Sequence, residues 1–171
     1  MRAFLIVAVL GQPEIVAADP LAGVHLEGWY GKLGVETGVA FGDGRGTSAV
    51  VGGIATLVHI NDHHEWVGLQ GDLLADGNGE LEAGARWSLG PEAGVSIYGV
   101  DVSYMGRRLE GVTQHGMQVR AKLTVGLAAV YARASYALVG GEGMEVDIGL
   151  QLKAPFWIKR PRRGAPAVAA R

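Results

Sequence analysis

Residues 59–65 form the densest group of side chains that could do chemistry, because His, Asn, Asp and Glu follow one another there. Imidazole and carboxylate groups close together can bind a divalent metal ion. Neighbouring residues in a turn, however, do not point toward one centre. We therefore interpret this segment as a solvated polar turn. The sequence predicts no metal and no cofactor, and the absence of cysteine excludes disulfides and thiolate ligands.

A second candidate combines Ser103, His115 and Glu110, which lie around a long predicted connection between two strands. A serine, a histidine and an acid that meet at the rim of a barrel could hydrolyse lipid. No spacing singles these residues out, so a lipid-modifying hydrolase stays an alternative and no catalytic residue is predicted. Arg107 and Arg108 in the same connection could contact anionic headgroups, but we interpret them as part of a solvated loop.

The elements that carry these residues are runs in which apolar and polar residues alternate. Asp-Gly, Asn-Gly and Gly-Gly pairs, which are strong hairpin signals, separate several of the runs. The predicted strands are 24–41, 48–60, 65–75, 80–89, 94–105, 116–124, 128–139 and 144–158, with a turn at 90–92, a longer connection at 106–114 and a tight turn near Gly126. The connections are too short for crossover helices, so neighbouring strands should pair antiparallel. The prediction is an all-β fold, a closed up-and-down β-barrel of about eight strands.

The alternation slips once, in the first strand. Apolar positions are even-numbered up to Tyr30 and odd-numbered from Leu33 onward. Such a slip is typical of a β-bulge, which we predict at Gly31-Lys32. The alternative is a hairpin at this point and nine strands. Closure of a simple antiparallel meander favours the even number.

Two arrangements fit the alternation. In a soluble, lipocalin-like barrel the apolar face would line a cavity that binds an apolar ligand, whereas in a transmembrane barrel it would face lipid. Three features favour the membrane: near-balanced charges on the polar face, segments of 9–11 residues, and aromatic residues near the ends of the apolar face. The expected interfacial aromatics are Trp87, Tyr98, Tyr104 and Phe156. The composition agrees, since only 19% of the residues are charged and 49% are hydrophobic.

The charges on the polar face would then fill the barrel interior. Eight strands leave a lumen just wide enough for side chains, and charges buried there have to be paired. We predict a static network of salt bridges rather than a gate or a proton path. Its expected members are Glu27, Asp72, Glu82, Arg86, Asp101, Arg120, Lys122, Arg133, Asp147 and Lys153.

The stretch from Gly28-Trp29-Tyr30-Gly31 to Phe41-Gly42 resembles the first strand of small OmpA/OmpX-like outer-membrane barrels, in which an aromatic follows the mature N-terminus and glycines recur. The resemblance covers roughly 22–158 as a strand pattern. It implies eight strands, a polar plugged interior, short periplasmic turns and outside loops, which here are unusually short. It also implies a bacterial outer-membrane protein whose partner is outer-membrane lipid.

The function expected from this resemblance and from the charge pattern is a structural or surface-interaction role without catalysis, in a protein that we expect to be a monomer. The formal net charge of −2 gives no electrostatic basis for binding nucleic acid. Residues 1–18 are predicted to be a signal peptide, because an apolar run is followed by small residues. Residues 22–158 form the predicted barrel domain, and 159–171 a basic, disordered tail that contacts no partner or only an anionic surface.

Overall fold

A computed structural model describes residues 27–42, 46–61, 63–77, 84–109, 111–141 and 143–159. The predicted signal peptide and residues 160–171 of the predicted tail lie outside the described residues. So do Asp62, Glu82 and Glu110. In the part of the chain that is described, no helix is long and apolar enough to cross a membrane.

Within the described residues, eight strands form one closed sheet. They are β1 (Gly28–Gly42), β2 (Gly46–Ile60), β3 (Glu65–Gly77), β4 (Gly84–Val95), β5 (Tyr98–Leu109), β6 (Val112–Val125), β7 (Ala128–Val139) and β8 (Gly143–Lys159). Each strand pairs antiparallel with the next, and β8 pairs with β1 to close the barrel. Closure leaves no unpaired sheet edge. The predicted fold, an up-and-down antiparallel barrel of eight strands, is confirmed.

Two predicted connections belong to strands instead. The turn predicted at 90–92 lies inside β4, and the chain turns later, at Ser96 and Ile97. The Gly-Pro pair signals a break, and it interrupts only one ladder: Gly90 and Pro91 have no partner on β5 but remain paired with β3. Most of the connection predicted at 106–114 is strand, because β5 continues to Leu109 and β6 begins at Val112.

The bulge predicted at Gly31-Lys32 is wrong, as is the nine-strand alternative. β1 keeps one register against β2 over its whole length. Tyr30 breaks the apolar pattern because it points inward, where it packs against Val58 and Ile60. The register shift at this end lies in the pairing of β1 with β8. Trp29 is opposite Lys159 while Tyr30 is opposite Trp157, so the extra residue is Ile158 on β8.

The two faces of the sheet differ sharply in chemistry. Among the described residues, nineteen polar or charged residues and eleven hydrophobic ones are buried, whereas thirty-three large hydrophobic residues are exposed. Since a strand's side chains alternate between faces, the polar set fills the lumen and the apolar set forms the outer wall. Among the side chains described, the only Asp, Glu, Lys or Arg on the outer wall of a strand are Glu65 and Arg108, which lie at strand ends.

Candidate functional site

The centre of the lumen holds a cluster in which Arg120 and Arg133 share the carboxylates of Glu36 and Asp72, and Arg133 also contacts Asp147. Arg120 donates to Glu36 Oε2 over 2.7 Å and to Asp72. Arg133 donates to Asp147 Oδ2 over 2.8 Å, and its Nη1 lies 3.0 Å from Glu36 Oε1. The side chains of all five residues are fully buried or nearly so. Ions with several partners each can tolerate removal from water.

Uncharged groups complete this central cluster. Gln151 donates to Glu36 over 2.7 Å. The ring of Tyr131 lies 5.4 Å from the guanidinium carbons of both Arg120 and Arg133, within range of cation–π attraction. The cluster therefore joins side chains from β1, β3, β6, β7 and β8 across the whole width of the lumen.

A second group of ion pairs lies toward the end of the barrel that carries the β1–β2, β3–β4, β5–β6 and β7–β8 connections, which we call the loop end. Arg86 pairs with Glu145 and, over 3.3 Å, with Asp147. Arg107 pairs with Asp76 and with Glu145, the latter over 2.5 Å. Every arginine that the structure describes in the lumen thus contacts at least two carboxylates.

The opposite end, where the barrel's first and last residues lie, is the termini end. Its lumen contains lysines instead of arginines. The Lys122 ammonium group donates a hydrogen bond to Glu92, and its Nζ lies 3.7 Å from Asp101 Oδ2. Lys153 Nζ donates to Gln70 Oε1 over 2.8 Å, and Lys32 Nζ lies 5.8 Å from the Trp66 ring. The described lumen holds seven carboxylates and seven cations, since Lys32 and Lys153 join five buried basic residues.

The structure brings most of the predicted network residues into the lumen: Asp72, Arg86, Asp101, Arg120, Lys122, Arg133, Asp147 and Lys153. Glu27 does not belong to the network, because it precedes β1 and is exposed. Glu82 lies outside the described residues. Six charged residues of the lumen are absent from the predicted network: Lys32, Glu36, Asp76, Glu92, Arg107 and Glu145. Extending each strand's alternation through its predicted turn would have found Asp76, Glu92 and Arg107.

A recess opens into the described lumen at each end of the barrel. One recess, of about 420 Å³ with its open mouth, lies at the loop end beside Arg86, Arg107 and Glu145. The other, of about 600 Å³ with its mouth, lies at the termini end beside Lys32 and Trp66. The central cluster of buried ion pairs separates them.

Aromatic residues on the outer wall lie toward both ends of the barrel. Trp87, Tyr98 and Tyr104 point outward and are 41–62% exposed, whereas Phe156 is half-buried because its ring covers Gly31. Tyr98 and Phe156 lie toward the termini end, and Trp87 and Tyr104 toward the loop end, where their rings are 5.6 Å apart. Three further aromatics with exposed rings extend these groups: Trp29, Phe41 and Tyr136. Between them the described outer wall is mostly aliphatic, with Thr37 as a polar residue on β1.

The candidate hydrolytic residues do not meet. Ser103 is buried in the lumen and donates to Asp101, whereas His115 lies on the outer wall and stacks on Tyr104. They are on opposite faces of the sheet, so the grouping proposed from the sequence is wrong. In the 59–65 segment, the Asn61 side chain accepts bonds from the backbone N–H groups of His63 and Glu65, which fixes a polar turn. No group of three metal-binding side chains occurs within the described ranges.

The alternative of a soluble barrel with an apolar cavity is also wrong, because the apolar side chains line the outside. A closed eight-stranded barrel with a charged, filled lumen and an apolar wall bounded by aromatics has the architecture of small transmembrane barrels of the outer-membrane type. No family model matches the chain, and no curated protein matches it. Among solved structures it is similar to Ail, the attachment invasion locus protein of Yersinia pestis. The identity is 12%, the match covers 75% of this chain and 99% of Ail, and the TM-score is 0.42. At this level the similarity has no bearing on function.

Proposed function

We propose that this chain is an integral β-barrel of the bacterial outer membrane, with a structural or surface-interaction role and no wide pore. The observation that carries the proposal is the outer wall. Between the strand ends, none of its described side chains is an Asp, Glu, Lys or Arg. A charge facing lipid at mid-depth costs about 2–4 kcal/mol for Arg or Lys, so its exclusion is expected of a wall in hydrocarbon.

Water is a poor medium for this surface. The largest apolar patch on a typical soluble monomer covers about 300–600 Å². Here exposed Val, Leu and Ile side chains occur on all eight strands, around the full circumference. Each square ångström of apolar surface moved out of water contributes about 25 cal/mol. A bilayer that surrounds the barrel would remove all the apolar side chains of the outer wall from water.

The lumen supports a role without transport. A barrel of eight strands has an interior just filled by side chains, and the ion pairs of the central cluster occupy it here. Ser103 and His115 lie on opposite faces of the sheet, so this pair does not support hydrolysis. The barrel presents its two ends to the two sides, and the described residues of the loop-end connections, Gly111, Gly140 and Gly141, are exposed.

Folding into lipid tests the membrane part of the proposal. Urea-unfolded protein is diluted into phosphatidylcholine vesicles or into plain buffer and run on a gel with and without boiling. We expect a compact, faster-migrating band for the unboiled vesicle sample, and aggregation in buffer. A stable, soluble monomer in plain buffer would overturn the proposal.

Surface exposure tests the role. An epitope tag inserted after Gly141, an exposed residue of the β7–β8 connection, should bind antibody on intact cells. The matched tag between Gly126 and Leu127, in a turn at the other end, should bind only after the outer membrane is permeabilised. The reverse pattern would place the loop end in the periplasm and contradict a role of that end at the cell surface.

A further inference from the structure

The recess at the termini end has a charge imbalance that the rest of the lumen does not share. It is lined by Lys32, Lys122 and Lys153, with Glu92 as the only carboxylate among its lining residues. Ser96, Gly126 and Leu127, which form two hairpin turns, lie at its mouth. Three ammonium groups from β1, β6 and β8 thus converge on a space that is accessible from the end of the barrel.

Among the described residues, only Lys122 of these three lysines has a carboxylate within ion-pair distance. Lys122 bonds Glu92 and lies 3.7 Å from Asp101. Lys153 donates to neutral oxygens, Gln70 Oε1 at 2.8 Å and Thr56 Oγ1 at 3.4 Å. For Lys32, the described residues provide no carboxylate within ion-pair distance. Its Nζ lies over the face of the Trp66 ring, 5.8 Å from the ring centroid. The described walls of the recess therefore carry three basic side chains and one carboxylate.

This imbalance contrasts with the arginines of the same lumen. Arg86 and Arg107 contact two carboxylates each, and Arg120 and Arg133 contact three each. Charge withdrawn from water is tolerated where it is paired. Among the described basic side chains of the lumen, Lys32 and Lys153 are the exceptions, and both line the recess. An anion in that space would supply the missing partners.

We propose that this recess is a binding site for an oxyanion of the phosphate type. Each ammonium group has three donors on a flexible stem, which suits a compact, multiply charged acceptor with no fixed planar geometry. Ser96 and Thr124, also in the lining, add hydroxyl groups. The phosphate can be the free ion or part of the headgroup of an anionic lipid. The acyl chains of such a lipid would contact apolar residues at the mouth of the recess, such as Leu127. The site would exist in the folded barrel whether or not the barrel spans a membrane.

The test is calorimetric titration of the folded barrel in an uncharged detergent with sodium phosphate, against sodium chloride at equal ionic strength. A parallel arm replaces free phosphate with detergent micelles that contain phosphatidic acid, against micelles that contain phosphatidylcholine. Saturable binding of free phosphate identifies the ion as a ligand, and binding of phosphatidic acid alone identifies the headgroup. Either result supports the site. Heats that match the controls in both arms overturn it.

Substitutions locate the binding. Lys32→Met and Lys153→Met should each weaken it by about tenfold or more, the value of one charge-assisted hydrogen bond. Arg108→Met removes one positive charge from the outer wall at the loop end and should leave affinity unchanged. Glu92→Gln removes the competing carboxylate and should strengthen binding, a change that misfolding cannot imitate. Affinity that is equal in all four variants would show that the anion binds elsewhere and overturn the assignment.

Discussion

At the scale of single residues, Glu36 holds the central cluster together. Its carboxylate accepts from Arg120 and from Gln151, each over 2.7 Å, and lies 3.0 Å from Arg133 Nη1. These partners come from three different strands, so one side chain links distant parts of the barrel. Because the cluster is buried, a missing charge at its centre cannot be replaced by water.

Glu36→Gln should lower the free energy of unfolding by about 3 kcal/mol, since breaking a buried ion pair leaves its partners uncompensated. The measurement is urea unfolding of the barrel in vesicles. Glu27→Gln, at an exposed position before β1, is the matched control and should stay within about 0.5 kcal/mol. Equal unfolding midpoints for the two variants would mean that the cluster contributes no net stability.

Residue identity alone could not reveal this cluster. Glu36 and its partner Arg120 are 84 residues apart in the chain. Alternation indicates which face a side chain occupies, but only the register of all eight strands shows which charges share a level of the lumen. The separation of the lumen into an arginine half and a lysine half follows from that register as well.

At the scale of elements, the seam that closes the barrel depends on two glycines. Gly38 on β1 lies opposite Gly149 on β8, and the Tyr131 hydroxyl sits over both. A Cβ on Gly38 would come within 2.7 Å of both the Ile148 carbonyl oxygen and the Tyr131 hydroxyl. The first of these atoms is backbone and cannot move without disturbing the seam.

Gly38→Ala should therefore destabilise the barrel by about 1–3 kcal/mol, the usual cost of overpacking. Gly77→Ala is the control, because a Cβ at the end of β3 would meet no atom within 4 Å. Comparing the urea midpoints of the two variants, in the same vesicles, checks the prediction. If Gly38→Ala matched Gly77→Ala, the seam would have to be looser than described.

The number and order of the strands were predictable, whereas several strand ends were not. A period of two is the direct signature of a strand, so β7 could be predicted residue for residue. The predicted strand ends are wrong where the local sequence signal and the contacts of the folded barrel disagree. Gly90-Pro91 is typical of a turn, yet β4 continues because Glu92 reaches Lys122 inside the lumen. Tyr30 shifts the phase of the apolar pattern, as a bulge would, because it packs with other apolar residues inside the lumen at the termini end.

At the scale of the whole molecule, the filled lumen predicts an electrically silent barrel. The buried ion pairs of the central cluster lie between the two recesses. An eight-stranded barrel has an interior just filled by side chains, which leaves no room for a wide, water-filled path. In planar bilayers the protein should show no open channel of the conductance expected for a wide water-filled pore. Sustained currents of that size would contradict the description of the lumen as closed.

The claim on which everything else depends is that the outer wall faces lipid, and the absence of cysteine allows a direct measurement. Ala132→Cys and Ala134→Cys, exposed outer-wall positions on β7, are labelled with a fluorophore and folded into vesicles. Gly141→Cys, exposed in the connection after β7, is the aqueous reference. We predict that lipid-attached spin labels quench the first two and that aqueous iodide quenches only the third. Iodide quenching of all three labels to the same extent would contradict the account.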